Sequence, residues 1–383
     1  MRDSESTTLV RSPRAIEQPI LRLSLVTLGN PNQQTGGYRY HRRMALAAPG
    51  YGAEIRFRSL PDIAWPLAIA PAGRTVRAAS KRSDGILLDS LAAALAAPWI
   101  ARSSVPVIAV LHQGPGGVDH GRIRSTAQGA LDRLAYARAS GFIAAGQSLV
   151  EGLRGSGVPD ERIRLVPPGC DVPFPKGPPL DLRRGRTVAV LCVANWTPSK
   201  GIIQLLDAFA SLPENAATLW LVGAADADPA YAERVRRRIS APDLARHVVV
   251  RGVLPFQEVA RMCRSADVFA LCSLVDAYGT AWAEAISAGL PVVGWRAANL
   301  PRLAAHGREA LMAEPGDLRG LASALRAITG DAVLRDRLAA GARRRAGTLP
   351  TWRRSEESFF GAVREFLDSA APERGRAPDY RSS

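Results

Sequence analysis

The chain has 383 residues, of which 47% are hydrophobic, a length that exceeds one ordinary domain and fits two. It contains no run of about 18 uncharged apolar residues, and residues 1–19 lack the apolar stretch of a signal peptide, so we expect a cytoplasmic protein without a transmembrane helix. The formal net charge of +15 fits an anionic partner or a membrane surface, and fits equally the Arg-rich, Ala-rich composition of a GC-rich genome.

The first half of the chain alternates short β-rich segments with helical patterns. Residues 1–19 are polar and predict a flexible N-terminal arm. Over residues 20–170 the alternation predicts βαβ units and a parallel sheet. The predicted strands are 21–28, 84–91, 106–112, 141–146 and 162–169, and predicted helices include 125–139 and 148–157.

The Pro-rich segment 171–186 has little periodicity and predicts a linker. The alternation then resumes over 187–350, which predicts a second domain. Its predicted strands are 187–195, 217–224, 247–254, 267–273 and 291–295, and its helices are 201–212, 230–241, 256–266, 280–289, 318–328 and 333–346. A last helix, 351–369, is predicted to cross back onto the first domain through Trp352, Phe359, Phe360 and Phe366, and residues 370–383 to form a disordered tail.

The predicted fold is therefore α/β, with two doubly wound Rossmann-like domains facing each other across a cleft. In such sheets, ligands bind beyond the carboxyl ends of the strands. The four cysteines are isolated, and the DAD triplet at 226–228 lies in a polar loop. We therefore predict neither disulfides nor a metal site.

The most informative segment is SLVDAYGTAWAEAISAGLPVVG (273–294), which follows a predicted strand and contains a predicted helix. Asp276 comes first, and Tyr278, Gly279 and Thr280 lead into the helix. A glycine at this position lets the backbone approach a ligand closely. The free N–H groups of the first helical turn form an anion site suited to a pyrophosphate.

Glu284 lies among apolar neighbours in the same helix, which predicts that it is at least partly buried. A buried carboxylate is costly without partners. The paired hydroxyls of a ribose would be suitable partners, and the alternative is that Glu284 lies on a solvated face of the helix.

Asp276, Glu284 and the following AISAGLPV (285–292) resemble the signature of the retaining GT-B glycosyltransferases of the large fourth family, which includes bacterial mannosyl- and glucosyltransferases. That signature has two acidic residues, usually both Glu, separated by seven positions, and then A-x-x-x-G-x-P-V. The resemblance implies GT-B architecture. It also implies that Glu284 binds the donor ribose and that Asp276, a departure from Glu, contacts or positions the donor sugar.

A second segment, VANWTPSKGIIQLLDAF (193–209), places Lys200 at the start of a predicted helix. A cation there is unfavourable unless an anion lies nearby, although an exposed lysine tolerated at low cost is the alternative. The segment is similar to the family region in which an Arg and, five residues later, a Lys hold the donor diphosphate. Lys200 matches the Lys, whereas Asn195 stands at the Arg position, so one cationic contact is lost.

The stretch QTGGYRYHRR (34–43) follows the first strand. Gly36 and Gly37 fit either a contact with phosphate or sugar, or a plain turn; the family has a Gly-rich loop here that faces the donor phosphates and the acceptor. Arg39, Arg42 and Arg43 follow on a helix. They fit attraction of an anionic acceptor or a membrane surface, and also simple solvation.

His112 ends a predicted strand just before the Gly-rich residues 114–117. A lone histidine is more often structural, but this one resembles the family's cleft histidine, which contacts the donor sugar. Gly252 and Leu254, after another strand, resemble the loop whose backbone reads the nucleotide base. PPGCD (167–171) resembles the family's domain junction.

By this resemblance we expect a retaining, metal-independent glycosyltransferase. Its donor would be a nucleoside-diphosphate sugar of the UDP or GDP type, with no further cofactor. The acceptor is a glycan, a lipid or a small molecule, with peripheral contact to the inner face of a membrane as one option and no nucleic acid as partner. The alternative, which the departures at Asn195 and Asp276 favour, is a non-catalytic GT-B subunit that binds sugar or a partner enzyme.

Overall fold

The structure is a computed structural model that describes residues 20–33, 35–63, 67–171 and 177–370. The arm predicted over 1–19, residues 172–176 of the predicted linker and the predicted tail beyond Ala370 lie outside these ranges. The described residues form two parallel six-stranded sheets flanked by helices, which confirms the predicted α/β fold.

The first sheet has the strand order β2-β1-β3-β4-β5-β6. Its elements are β1 (Leu21–Leu28), α1 (Gly36–Ala47), β2 (Ala53–Leu60), α2 (Ile69–Lys81), β3 (Gly85–Asp89), α3 (Ala93–Ile100), β4 (Val107–Leu111), α4 (Arg122–Tyr136), β5 (Gly141–Ala144), α5 (Gln147–Gly155) and β6 (Ile163–Leu165). Every residue of β3, β4 and β5 is buried, as expected for parallel strands covered on both faces. The strand order reverses between β1 and β3.

The second sheet has the order β12-β11-β10-β7-β8-β9. Its elements are β7 (Val188–Val193), α6 (Ile202–Phe209), β8 (Ala217–Val222), α7 (Pro229–Ile239), β9 (Val248–Gly252), α8 (Phe256–Ser265), β10 (Val268–Ala270), α9 (Thr280–Ser287), β11 (Val292–Trp295), α10 (Leu300–Leu303), β12 (Ala310–Ala313), α11 (Leu318–Gly330) and α12 (Ala332–Ala346). Its order reverses between β7 and β10. Both reversals create crevices at the carboxyl ends of the strands, where ligands bind in doubly wound folds.

The last helix, α13 (Trp352–Ala370), packs on the first sheet. Trp352, Phe359, Phe360 and Phe366 are buried there in one hydrophobic cluster with residues of β1, β4 and α1. Burial of each such side chain stabilises the fold by roughly 1.5–3 kcal/mol. The end of the chain therefore completes the core of the first half.

Within the described ranges, no helix combines the length and the apolar composition needed to cross a membrane.

The two halves of the molecule touch each other directly beside the cleft. Gly146, which precedes α5, faces the carbonyl of Ala277, and a Cβ added at Gly146 would lie 1.8 Å from that oxygen. Nearby, Asp119 accepts hydrogen bonds from the backbone N–H of Ser199 at 2.9 Å and from its hydroxyl at 2.7 Å. The two halves can thus approach closely because glycine at position 146 has no side chain.

We expect Gly146→Ala to oppose this approach while leaving each half folded. Gly146 has a φ of −150°, which alanine adopts without strain, so the added methyl acts only through its collision with Ala277. Small-angle X-ray scattering should give a larger radius of gyration for the variant than for the wild type. Gly155→Ala, at the other end of α5 with open space around its Cβ, is the matched control. Equal radii for all three proteins would contradict this expectation.

Candidate active site

The candidate site is a cavity of about 260 Å³ that residues of both halves line, at the carboxyl ends of the strands. It lies at the two points where the strand orders reverse. Eight of the residues singled out from the sequence line it, namely Gly36, Arg39, Asn195, Lys200, Leu254, Asp276, Thr280 and Glu284.

Two helix N-termini meet at this cavity. Helix α9 begins directly after Gly279, whose φ of 83° lies in the left-handed region that favours glycine. Helix α1 begins at Gly36, and a Cβ added there would lie 3.1 Å from the hydroxyl oxygen of Thr280. Among the described contacts, the N-cap residues Thr35 and Gly279 make no side-chain cap. The free N–H groups and the positive ends of two helices therefore converge, which creates an anion site.

Glu284 reaches the same cavity from α9 and is only 7% exposed, so the interpretation that it lies on a solvated face is wrong. Burial raises the pKa of its carboxyl group, and the guanidinium of Arg39 opposes that rise. Arg39 comes from α1 in the other half and pairs with Glu284 across the cleft. Its guanidinium carbon lies 3.6 Å from the centre of the Phe256 ring.

Arg39 thus lies in the cleft, and it is neither simply solvated nor placed to contact a membrane surface. The sequence offered one indication of this position. Arg39 lies one turn into the helix that begins at Gly36, so it points back toward the helix N-terminus. Phe256 is a further cavity residue that the sequence did not single out.

Lys200 and Asp276 form the second ion pair of the cavity, with 2.6 Å between Nζ and Oδ2. The other carboxylate oxygen of Asp276 accepts a hydrogen bond from the N–H of Gly279 at 3.1 Å. Lys200 ends a short 3-10 helix (Pro198–Lys200), and α6 starts two residues later, after Gly201. The Lys200 side chain is 25% exposed and faces the cavity.

Asn195 also lines the cavity, but its side chain supports the backbone. Its Oδ1 accepts a hydrogen bond from the N–H of Ala224 at 3.0 Å, which joins the loops after β7 and β8. Asn195 therefore contributes no charge, and the cations that line this cavity are Arg39 and Lys200.

A second cavity, of about 520 Å³, adjoins the first and shares Asn195, Lys200 and Asp276 with it. His112, at the end of β4, lines this second cavity, so it lies in the cleft. Gly37 stands directly behind it, since an added Cβ would lie 3.4 Å from the imidazole.

His112 is partly buried and packs against two fully buried residues, His41 and Asp89. The ring centres of the two histidines are 4.7 Å apart, and His41 Nε2 lies 3.2 Å from Asp89 Oδ2. Burial lowers the pKa of His112 to about 3; His41 acts in the same direction and Asp89 opposes it. His112 is therefore neutral at physiological pH. Its Nε2 is buried and has no hydrogen-bond partner within the described part of the chain.

Four of the predicted site residues, Tyr278, Gly252, Gly37 and Gly279, line neither cavity. The side chain of Tyr278 is buried, and its hydroxyl lies 2.8 Å from Cys170 Sγ, so it does not reach the cleft. The carbonyl of Gly252 accepts a hydrogen bond from the backbone of the loop after β8. Gly37 supports His112, and Gly279 acts through the helix start that it permits.

Family models match both halves of the chain. The model described as glycosyl transferase 4-like domain matches residues 20–169, and the model described as glycosyl transferases group 1 matches residues 187–331. The chain therefore belongs to the group 1 glycosyl transferases, the fourth-family type that the motif around Glu284 resembles.

Curated relatives match the chain over part of their length. The D-inositol 3-phosphate glycosyltransferase of Jonesia denitrificans is 30% identical over 210 residues, which are 50% of this chain and 49% of that protein. The GDP-mannose-dependent alpha-(1-6)-phosphatidylinositol monomannoside mannosyltransferase of Mycobacterium tuberculosis is 27% identical over 212 residues, 51% of this chain and 53% of that protein. The chain thus spans about half the length of these relatives.

Solved structures resemble the whole fold. Sucrose-phosphate synthase from Thermosynechococcus elongatus superposes with a TM-score of 0.79 at 18% identity, covering 91% of this chain and 100% of that one. Anabaena HepE, solved in complex with UDP and glucose, gives 0.73 at 19% identity, covering 89% and 99%. These similarities confirm the GT-B architecture.

The buried neutral state of His112 predicts an acid-dependent loss of stability. The unfolded chain takes up a proton on this histidine below about pH 6.5, whereas the folded chain does so only near pH 3. The stability contributed by the neutral form is present above pH 6.5 and is lost as the pH falls toward 3. From pH 7.5 to 5, this costs the wild type about 2 kcal/mol relative to His112→Gln.

Urea unfolding of both proteins at the two pH values measures this difference. Asp132, whose pKa burial raises to about 6, acts in the opposite sense but is common to both proteins, so it cancels. Parallel pH dependences of the two unfolding free energies would show that His112 titrates normally in the folded protein.

Proposed function

We propose that this protein is a retaining, metal-independent glycosyltransferase that takes its sugar from a nucleoside-diphosphate sugar of the UDP or GDP type. The observation that carries the proposal is the convergence of two helix N-termini and two cations, Arg39 and Lys200, on a cavity that also contains the buried carboxylate of Glu284. A diphosphate fits the cations and N–H groups. The hydroxyls of a ribose can donate hydrogen bonds to the carboxylate of Glu284.

In this proposal the donor lies along the first cavity. The base lies against Leu254 and Phe256, the ribose hydroxyls donate to Glu284, and the diphosphate lies between Lys200 and Thr280. The sugar then points into the second cavity, between Asp276 and His112. Neutral His112 would form a hydrogen bond with a hydroxyl group of the sugar.

Arg39 takes over the contact that Asn195 does not make. In the structure, Arg39 pairs with Glu284. Once ribose hydroxyls occupy that carboxylate, the guanidinium is released beside the position proposed for the diphosphate. The first half of the molecule would then supply the second cation, so that donor binding also holds the two halves together.

The proposed reaction proceeds on the face of the leaving group. The acceptor oxygen forms a bond to the anomeric carbon as the bond from that carbon to the diphosphate oxygen breaks, and the acceptor's proton passes to the departing phosphate. Negative charge that grows on the diphosphate is stabilised by Lys200, Arg39 and the helix N-termini. Because these groups are fixed before the reaction, little reorganisation is required.

Transfer should persist in the presence of EDTA.

Nucleotide binding separates the proposed roles. Lys200→Gln and Arg39→Gln should weaken binding of UDP or GDP by roughly 10- to 100-fold, the effect of one charged hydrogen bond. Lys200→Gln should leave binding of the nucleoside alone unchanged, whereas Arg39→Gln should alter it, because Arg39 contacts both Glu284 and Phe256. Glu284→Gln should weaken nucleotide and nucleoside alike, since both contain the ribose. Titration calorimetry measures all of these affinities.

Arg43→Gln is the matched control, because Arg43 lies on the same helix as Arg39 and pairs with Glu356 outside the cavity. Failure of the wild-type protein to bind either UDP or GDP would contradict the proposal. A protein that binds a nucleotide sugar but transfers and hydrolyses nothing would instead be the non-catalytic GT-B subunit.

A further inference from the structure

A third cavity, of about 340 Å³, lies between helices α4 and α5, apart from the donor position. Its volume falls in the range of roughly 300–1,000 Å³ that is typical of small-molecule sites. Apolar side chains form much of its wall, namely Leu111, Phe142, Leu149, Leu153 and Val158.

This third cavity adjoins the second one. Gly114, Ser148 and Leu149 line both of them. The second cavity also contains His112 and Asp276, between which the donor sugar is proposed to lie. A molecule with a hydroxyl beside His112 would pass Gly114 to place a further group between the two helices.

Two polar side chains of α4, at or next to the wall of the third cavity, have atoms without hydrogen-bond partners among the described residues. Tyr136 lines it and is 6% exposed, yet its hydroxyl has no partner among the described residues. One turn earlier on α4, Asp132 is also buried. Its Oδ2 accepts from the N–H of Gly116 at 2.9 Å, while its Oδ1 finds no partner in the same described ranges. Asp132 does not line the third cavity and the Tyr136 hydroxyl is itself buried, so the surface that this cavity offers is its apolar wall and the ring of Tyr136.

The cations in the wall do not form an anion site. Arg162 donates to the backbone carbonyls of Ala139 and Ser140, and Arg133 is exposed. A ligand in this cavity is therefore expected to be uncharged, with a mostly apolar body.

We propose that the third cavity binds the aglycone of the acceptor, and that the acceptor is an alcohol carrying an uncharged alkyl or aryl group. Its hydroxyl lies beside His112 in the second cavity, and its apolar group lies between α4 and α5. This inference rests on the proposed transferase function and specifies its acceptor class.

Binding of n-alkyl β-D-glucosides tests the proposal, with methyl, hexyl and octyl members and phenyl β-D-glucoside as the aryl member. The full chain is saturated with UDP or GDP, and affinity is measured by titration calorimetry below the micelle concentration of each glucoside. Affinity should rise with chain length, roughly fourfold for each methylene that becomes buried. Tighter binding of the phenyl than the hexyl member would assign an aryl group. No binding, or affinity independent of the apolar group, would overturn the proposal.

Two glycines of α5 provide a matched pair of variants. Gly152 lines the third cavity and Gly155 does not, and an added Cβ meets open space at either position. Gly152→Leu should fill the cavity and abolish the dependence on chain length, whereas Gly155→Leu should retain it. Persistence of the dependence in Gly152→Leu would overturn the assignment of this cavity.

Nucleotide affinity distinguishes a failure of this inference from a failure of the proposed function. Both leucine variants should bind UDP or GDP as the wild type does, because α5 does not line the first cavity. Loss of nucleotide binding by the wild type itself would contradict the transferase, independently of any result with the glucosides.

Discussion

The positive ends of helices α1 and α9 face one another across the cleft, and this arrangement requires negative charge nearby. The protein supplies it with two carboxylates, each of which already holds a cation: Glu284 pairs with Arg39, and Asp276 pairs with Lys200. The charges of these four side chains therefore balance one another. In the proposed function, a donor binds by exchanging partners. Its hydroxyls replace the cations on the carboxylates, and its diphosphate receives the cations.

The alternation of strands and helices predicted the architecture because parallel strands that are buried on both faces have continuous apolar sequences. GILLD and VIAVL, the sequences of β3 and β4, are fully buried and were both predicted. Strand β2, AEIRFRSL, was not predicted. It lies at the sheet edge, where only one neighbouring strand and partial burial are required, so two arginines and a glutamate are tolerated and the apolar run is broken.

The site was predictable where its parts are contiguous in the chain. The helix start at Thr280 and the buried carboxylate of Glu284 lie within one turn and a half of each other, so local spacing was sufficient. The pair between Arg39 and Glu284 joins residues 245 positions apart, and its existence depends on how closely the two halves approach. No local pattern carries that information. Tyr278 shows the reverse case, since its neighbours suggested the cleft and its side chain turns toward Cys170.

Helix α13 has a consequence for the order of folding. It is the last described element of the chain, yet it completes the hydrophobic cluster on β1 and β4, the strands that stand near the beginning. Domains commonly fold as units in the order of their synthesis. Helix α1 covers part of this face of the first sheet, and the rest waits until the second half has been synthesised and Phe359 and Phe360 have left the ribosome. The half of the molecule that is synthesised first thus receives the last helix of its core only after the other half has been made.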